Sequence, residues 1–180
     1  MEREPAVLGA QEGRRAAASG TIRLLLVQCG RYRLGFPSGL VRGVVEPGEI
    51  VPLGLPELEG LMWREGALIP AAKLGPRLGL RSGESSVCGH GVLVRSGEGL
   101  LCLLVDEALD LVEVPATSVV ALPPLVRKVV PLEGLESAAL VESLLLIVDP
   151  VRLLGQQGVA ELMAAAARVG NPGATHEEPE

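Results

Sequence analysis

The sequence has few of the residues that recognition of nucleic acids requires. Of its 180 residues only Tyr32, Phe36 and Trp63 are aromatic, and 16 basic residues stand against 22 acidic ones, a net charge of −6. Proteins that bind nucleic acid usually present a cationic surface and aromatic rings on which bases stack. The composition therefore argues against nucleic-acid binding. With 48% hydrophobic residues, it indicates a core of aliphatic side chains.

Long hydrophobic runs are also missing. A membrane-spanning helix needs roughly 20 consecutive apolar residues, whereas the longest run near the C-terminus, Leu144–Val148, is bracketed by Glu142 and Asp149. Residues 1–20 carry six charged side chains and no continuous apolar stretch, which does not fit a secretory signal. The sequence thus predicts a cytoplasmic protein with no direct membrane insertion.

Residue patterns for catalysis or metal binding are scarce. The three cysteines form no C-x-x-C pair, so neither a disulfide framework nor a structural zinc site is indicated. Cys88 and His90 would share one face of a strand, but no third orienting group is recognisable nearby. Asp106, Glu107 and Asp110 match no calcium-binding loop. We predict no catalytic residue, metal or cofactor, and hence no enzyme; a small enzyme using the cysteine and histidine is the alternative.

Glycine and proline divide the chain into short segments of β character. Two hairpins are predicted, Thr21–Cys29 with Arg31–Phe36 and Val92–Arg95 with Leu100–Val105. Short strands separated by turns favour a β-barrel or sandwich over an α/β fold. The remaining predicted strands are Leu40–Glu46, Gly66–Leu74, Leu109–Val114, a short segment within Pro115–Pro124, Leu132–Leu135 and Ala138–Val141 around a turn at Glu136-Ser137, and a fully buried Leu144–Val148.

The two ends of the chain differ in composition from the middle. Residues 1–20 are predicted to form a flexible arm and residues 170–180 a disordered acidic tail, which leaves a domain over residues 21–155. Asp149 fits a helix N-cap with Pro150 at the first helical position. Residues 156–169 are predicted to form a C-terminal helix, because Val159–Val169 has strong helix propensity.

Three segments, in order, resemble motifs of the CheW-like domain family. Gly60–Leu74 is similar to the family pattern G-V-x-N-L-R-G-x-I-x-P-V-x-D-L, with the glycines, the proline and the final leucine in register. Leu104–Val112 is similar to V-V-D-x-V-x-D-V, and Leu145–Leu154 resembles L-I-x-I-L-D-x-x-x-L-L. The resemblance covers about residues 22–154, most of the predicted domain.

The resemblance implies both a fold and a function. The fold would be mainly β, with two small five-stranded SH3-like β-barrels packed around a shared hydrophobic centre. The protein would be a non-enzymatic cytoplasmic adaptor, associated with receptor arrays at the inner membrane. Its partners would be the regulatory domain of a CheA-type histidine kinase, which shares the fold, and the cytoplasmic tip of a chemoreceptor (a methyl-accepting chemotaxis protein). A degenerate scaffold in a motility or developmental pathway is the alternative.

The chain departs from the family pattern at its partner-binding positions. Where the pattern has Asn-Leu-Arg this chain has Trp-Arg-Glu at positions 63–65, so Glu65 and Lys73 each reverse a charge. Trp63 could be a core residue that fills a gap between the barrels or an exposed loop residue that anchors a partner, as tryptophan often does at binding hot spots. We predict the loop position, because its neighbours at 64–66 are polar or small. Gly60 and Pro70 are predicted to serve turn geometry. The predicted partner-binding residues are Val41, Trp63, Arg64, Glu65, Gly66, Val105, Asp106 and Glu107. For the last three, the resemblance implies a place beside the partner-binding groove, and a purely structural strand end and turn is the alternative.

The reversed charge at Glu65 leads to a testable prediction. We expect Glu65→Arg to change which partners the protein binds, because the substitution restores the charge of the family pattern. The melting temperature should stay nearly the same, since glycines, prolines and aliphatic residues carry the frame. Thermal unfolding and pull-downs against the histidine-kinase regulatory domains of the same genome measure both effects. A large fall in melting temperature would show instead that Glu65 is structural.

Overall fold

A computed structural model describes residues 20–54, 59–79, 88–97, 99–129 and 134–155, together with 159–160, 163–164 and 166–168. Within them the chain forms mostly short strands, in agreement with the mainly β prediction. The elements in chain order are β1 (Thr21–Cys29), β2 (Tyr32–Pro37), β3 (Val41–Val45), β4 (Ile50–Val51), β5 (Gly60–Arg64), β6 (Ala67–Lys73), α1 (Leu74–Arg77), β7 (His90–Ser96), β8 (Gly99–Val105), β9 (Glu107–Pro115), β10 (Val119–Ala121), α2 (Pro124–Val129), β11 (Leu135–Val141), β12 (Ser143–Val148) and α3 (Pro150–Leu153).

The strands form two six-stranded sheets, one strand more in each than the five predicted. The first has the order β10-β11-β12-β2-β1-β9 and the second β3-β7-β8-β6-β5-β4. Each sheet has one parallel pair, β12 with β2 and β6 with β8. Read from opposite ends, the two orders match strand for strand. The β1–β2 hairpin thus corresponds to the β7–β8 hairpin, and the β11–β12 hairpin to the β5–β6 hairpin.

Buried side chains form three clusters, one inside each sheet and one between the sheets. Alternation along a strand sends successive side chains to opposite faces. On β1, Leu24 therefore joins the cluster inside the first sheet, whereas Leu25 and Val27 join the cluster between the sheets. On β7, Leu93 packs inside the second sheet, and its neighbour Val92 packs between the sheets. The structure thus has two separate cores and a shared seam.

The two predicted hairpins are present. In β1–β2, Cys29 lies opposite Tyr32, and Gly30 occupies the first turn position with φ 55°. A positive φ at that position is typical of the type II′ turn and suits glycine. In β7–β8, Ser96 lies opposite Gly99. These two hairpins were therefore identified from the sequence, and they supply most of the buried residues of the seam.

The helical predictions have mixed outcomes. The Asp149 carboxylate accepts hydrogen bonds from the amides of Val151 (2.9 Å) and Arg152 (3.1 Å), which confirms the N-cap of α3. The short helices α1 and α2 were not predicted. In the predicted C-terminal helix the described residues are helical, and Val159 and Met163 pack against the seam cluster. Of the predicted arm over residues 1–20 only Gly20 is described, and the predicted tail over residues 170–180 lies outside the described residues.

Three predictions about strands were wrong. Glu136 and Ser137 lie within β11, where an irregularity in the β11–β12 register follows Leu135, and the turn comes instead at Glu142. Leu144–Val148 lies in β12 but is not fully buried. The segment from Gly60 to Arg64, predicted to carry Trp63 in a loop, is strand β5. In β5 and β11, polar residues within a short strand were interpreted as a turn or loop, because the sequence does not show which strands pair with them.

Gly60 is a position where a side chain should destabilise the fold. It has φ 151°, and a Cβ there would press against the carbonyl oxygen of Val51 on β4. We expect Gly60→Ala to lower the free energy of unfolding by about 2–4 kcal/mol, from steric overlap and backbone strain. Gly43→Ala is the control, because a Cβ there meets nothing within 4 Å. Urea denaturation tests this, and equal stability of the two variants would contradict it.

Candidate partner-binding surfaces

The β5–β6 hairpin carries four of the predicted partner-binding residues. Arg64 lies opposite Ala67, so Glu65 and Gly66 form a two-residue turn, with φ values of 50° and 81°. Two positive φ values are typical of the type I′ turn. Glycine adopts this conformation freely, but a glutamate there costs roughly 1 kcal/mol. Arg64 Nη2 lies 3.3 Å from Glu65 Oε1, an exposed pair that contributes little to stability.

An exposed apolar surface lies behind this turn. Trp63, 59% exposed, lies directly opposite the half-buried Leu68. Val51 on β4 is also exposed and lies opposite Leu61, which places it diagonal to Trp63 on the same face. The exposure of Trp63 agrees with the prediction, although the residue lies on a strand. We call Val51, Trp63 and Leu68 the β5–β6 surface.

The other sheet carries a second apolar surface that the sequence did not predict. Leu140, 74% exposed, lies directly opposite Leu144, 65% exposed, across the turn at Glu142. Val120 on β10 is also exposed and lies opposite Ala138, diagonal to Leu140. Diagonal neighbours on one face of a sheet are within reach of large side chains. We call Val120, Leu140 and Leu144 the β11–β12 surface.

The two surfaces occupy equivalent places in their sheets. In each, a two-stranded hairpin and the short edge strand beside it supply the residues. Further along the same faces, Ala72 on β6 and Leu146 on β12 pack against the seam cluster. Each surface is therefore the uncovered end of a face whose middle is covered by the opposite sheet. The sequence signal for the β11–β12 surface was the polar pair Glu142-Ser143 between Leu140 and Leu144, which marks the turn.

The remaining predicted partner-binding residues lie elsewhere. Val105 is completely buried in the seam cluster, so it cannot touch a partner directly; that prediction was wrong because β8 is covered on both faces. Val41 is half-buried on β3, opposite Val94, at the sheet edge away from β4. Glu107 is exposed at the start of β9. The structure thus groups residues 63–66 and separates them from Val41.

Asp106 lies where the chain passes from the second sheet to the first. Its Oδ2 accepts a hydrogen bond of 2.6 Å from the amide of Gly30. Its own amide donates to the carbonyl of Gln28 (3.1 Å), and its carbonyl accepts from the amide of Gly89 (3.2 Å). This half-buried residue is therefore part of the junction between β8, β9 and the β1–β2 turn.

Gly60 and Pro70 were predicted to lie in turns, and neither does. Gly60 begins β5 and Pro70 lies inside β6, both buried. Pro70 is tolerated there because β6 pairs with β8 only from Ala71 onward, so at Pro70 the strand has one neighbour, β5. A glycine is needed at position 60 because β4 approaches its backbone too closely for a side chain.

The second reversed charge, Lys73, has a local partner. Its Nζ lies 2.8 Å from Glu59 Oε1, and this hydrogen bond raises the pKa of the lysine, against a smaller opposing effect of burial. Glu59 immediately precedes β5, whereas the other reversed charge, Glu65, lies at the far end of the hairpin beside Arg64. Each reversal is thus matched by its own neighbour, and the two are independent.

Cys88 lacks the surroundings of a nucleophile. Burial raises the pKa of its thiol, and the positive charge of Lys73 offsets only part of that rise. His90 Nδ1 is buried and has no hydrogen-bond partner among the described residues. A catalytic cysteine needs a lowered pKa or an adjacent base. Over the same residues, no cluster of three or more histidine, cysteine, aspartate and glutamate side chains could hold a metal ion.

These features define a mainly β domain of two packed sheets, each with an exposed apolar surface. The family model of the CheW-like domain matches residues 23–158, and the chain belongs to this family. Its fold is similar to that of the scaffolding protein TtCheW from Thermoanaerobacter tengcongensis, with a TM-score of 0.68 at 18% identity, over 77% of this chain and 96% of that one. Among curated proteins, a sequence search found no match. The resemblance read from three motifs is thereby confirmed.

The raised pKa of Cys88 predicts its reactivity. At pH 8 we expect the native protein to react with a disulfide reagent more slowly than glutathione does, because less of the thiol is ionised. The rate should rise as the pH increases. Cys29 and Cys102 are buried, so Cys88→Ser should remove the measured reaction. Labelling faster than glutathione would contradict the assignment and revive the enzyme hypothesis.

Proposed function

We propose that this protein is a non-enzymatic scaffold adaptor that couples chemoreceptors to a CheA-type histidine kinase in a chemosensory pathway. The observation that carries the proposal is the pair of equivalent apolar surfaces, one on each sheet. The setting is the cytoplasmic side of a receptor array. No helix among the described residues is long and apolar enough to cross a membrane.

Two surfaces on two sheets suit a protein that must hold two partners together. Each surface presents large apolar side chains, and burying one such side chain contributes about 1.5–3 kcal/mol. Trp63 and the Leu140–Leu144 pair would be the anchors, since a few buried residues dominate most interfaces. Because the surfaces do not share residues, the two partners need not compete for the same side chains. The kinase regulatory domain would bind at one and the receptor tip at the other.

The charges beside these surfaces indicate the kind of partner. Glu65 and Glu142 lie at the tips of the two hairpins, both exposed and both at positive φ. A carboxylate beside an apolar patch favours a partner with a cation at the matching place, and excludes one with an anion there. At the β5–β6 surface this is the reverse of the family pattern, so the partner there should carry the reverse charge.

The same reversals support a second candidate function. A family member with Glu65 and Lys73 in place of the usual charges could serve as a scaffold outside taxis, in motility or development. The two surfaces would then bind other proteins in the same manner. The identity of the kinase and receptor that bind separates the two functions, because a scaffold outside taxis would not bind a chemoreceptor tip.

Serine substitutions at the two surfaces test the proposal. We expect Leu140→Ser with Leu144→Ser to weaken binding of one partner at least tenfold, and Trp63→Ser to weaken binding of the other to a similar extent, as for hot-spot residues. Calorimetry with the kinase regulatory domain and a receptor cytoplasmic fragment measures both affinities.

Leu111→Ser is the matched control, since it removes an exposed leucine from β9, at the other edge of the first sheet. It should change neither affinity by more than about threefold, as is usual away from hot spots. If Leu111→Ser weakened binding as much as the other variants, or if neither surface mattered, the proposal would be wrong.

A further inference from the structure

The chain passes between the two sheets twice in the described region, and the two crossings are held differently. At the first, from β2 to β3, backbone groups make the contacts: the amide of Ser38 donates to the carbonyl of Arg23, and the amide of Arg95 to that of Leu40. At the second, from β8 to β9, a side chain takes part, because Asp106 Oδ2 accepts from the amide of Gly30.

The Asp106 bond is strong and its partner is held in place. At 2.6 Å it is short, and a carboxylate acceptor makes such a bond roughly twice as strong as a neutral one. Gly30 occupies a tight turn, and Gln28 Nε2 donates to its carbonyl at 2.6 Å. The carboxylate therefore cannot move without moving the β1–β2 turn. Its own backbone is bonded to Gln28 and Gly89 at the same time.

This junction lies where the two sheets meet at the seam. The β1–β2 hairpin supplies the first sheet's side of the seam, and β8 supplies part of the second sheet's side. The hydrophobic effect has no preferred direction, so burial of apolar side chains at the seam does not by itself select one angle between the sheets. A charge-assisted hydrogen bond at the crossing does have a preferred direction, and it can therefore favour one angle over others.

We propose that Asp106 is a positioning residue whose carboxylate sets the angle between the two sheets, and thereby lets both apolar surfaces be occupied at once. This inference rests on the two-partner function proposed above. It replaces the prediction that Asp106 contacts a partner, because its carboxylate is engaged by the Gly30 amide. Neighbouring Glu107, which is exposed, serves as the matched control.

Distances measured in the free protein test the geometry independently of any partner. Spin labels at Arg33→Cys on β2 and Arg42→Cys on β3, in a Cys88→Ser background, report the separation of the sheets by pulsed electron resonance. We expect Asp106→Ala to broaden the distance distribution and Glu107→Ala to leave it unchanged. Asp106→Asn, which keeps an acceptor oxygen but loses the charge, should broaden it less than Asp106→Ala does. An unchanged distribution in Asp106→Ala overturns the inference. If that variant does not fold, Asp106→Ser, whose hydroxyl is too short for the bond, replaces it with the same criterion.

Binding measurements then connect the geometry to function. In Asp106→Ala the affinity for each partner alone should stay within about threefold, while formation of the three-component complex falls about tenfold, a typical coupling between two sites. Loss of affinity for a single partner with unchanged distances would mean that Asp106 contacts that partner, and would overturn the inference. Failure of the unsubstituted protein to bind either partner would refute the proposed function, yet the distance result would still decide the role of Asp106 in the sheet angle.

Discussion

The rest of the structure depends on the burial of both faces of each sheet. An aliphatic strand such as β1 presents apolar side chains on both sides, and a single sheet can bury only one of them in its own interior. The second face must be covered by another sheet, and the β1–β2 and β7–β8 hairpins cover each other. The low aromatic content fits this arrangement, since leucine and valine fill the seam and Phe36 is its only buried aromatic residue among those described.

The same constraint explains where the binding surfaces lie. The seam covers the middle of each sheet, but the outer hairpin of each extends past the region that the opposite sheet can reach. Trp63 and Leu140 are therefore exposed while Leu61 and Ala138, two residues before them on the same strands, are buried. Because the two sheets have equivalent topology, each of them has one such exposed hairpin end. The proposed adaptor function uses this property of the fold, because a double-sheet protein with one seam has two uncovered ends.

Local features were predictable from the sequence, and features that depend on distant strands were not. The central hairpins, the Asp149 cap and the order of the family motifs depend on neighbouring residues, and the structure confirms them. The exposure of Leu144 depends on how far the opposite sheet extends, and nothing in an apolar run shows which end of it will be covered. The burial of Val105 also depends on distant strands, because it comes from contacts with the first sheet. The sequence around Val105 does not show those contacts, so the predicted partner interface there was wrong.

The central claim is that both uncovered hairpin ends are occupied together. Hydrogen exchange measured by mass spectrometry, on the protein alone and in complex with the kinase regulatory domain and the receptor tip, tests this most directly. The account predicts slower exchange in β5–β6 with one partner, in β11–β12 with the other, and in both hairpins when the two partners are present together. Protection confined to β9 and α2, or to the same hairpin for both partners, would contradict it.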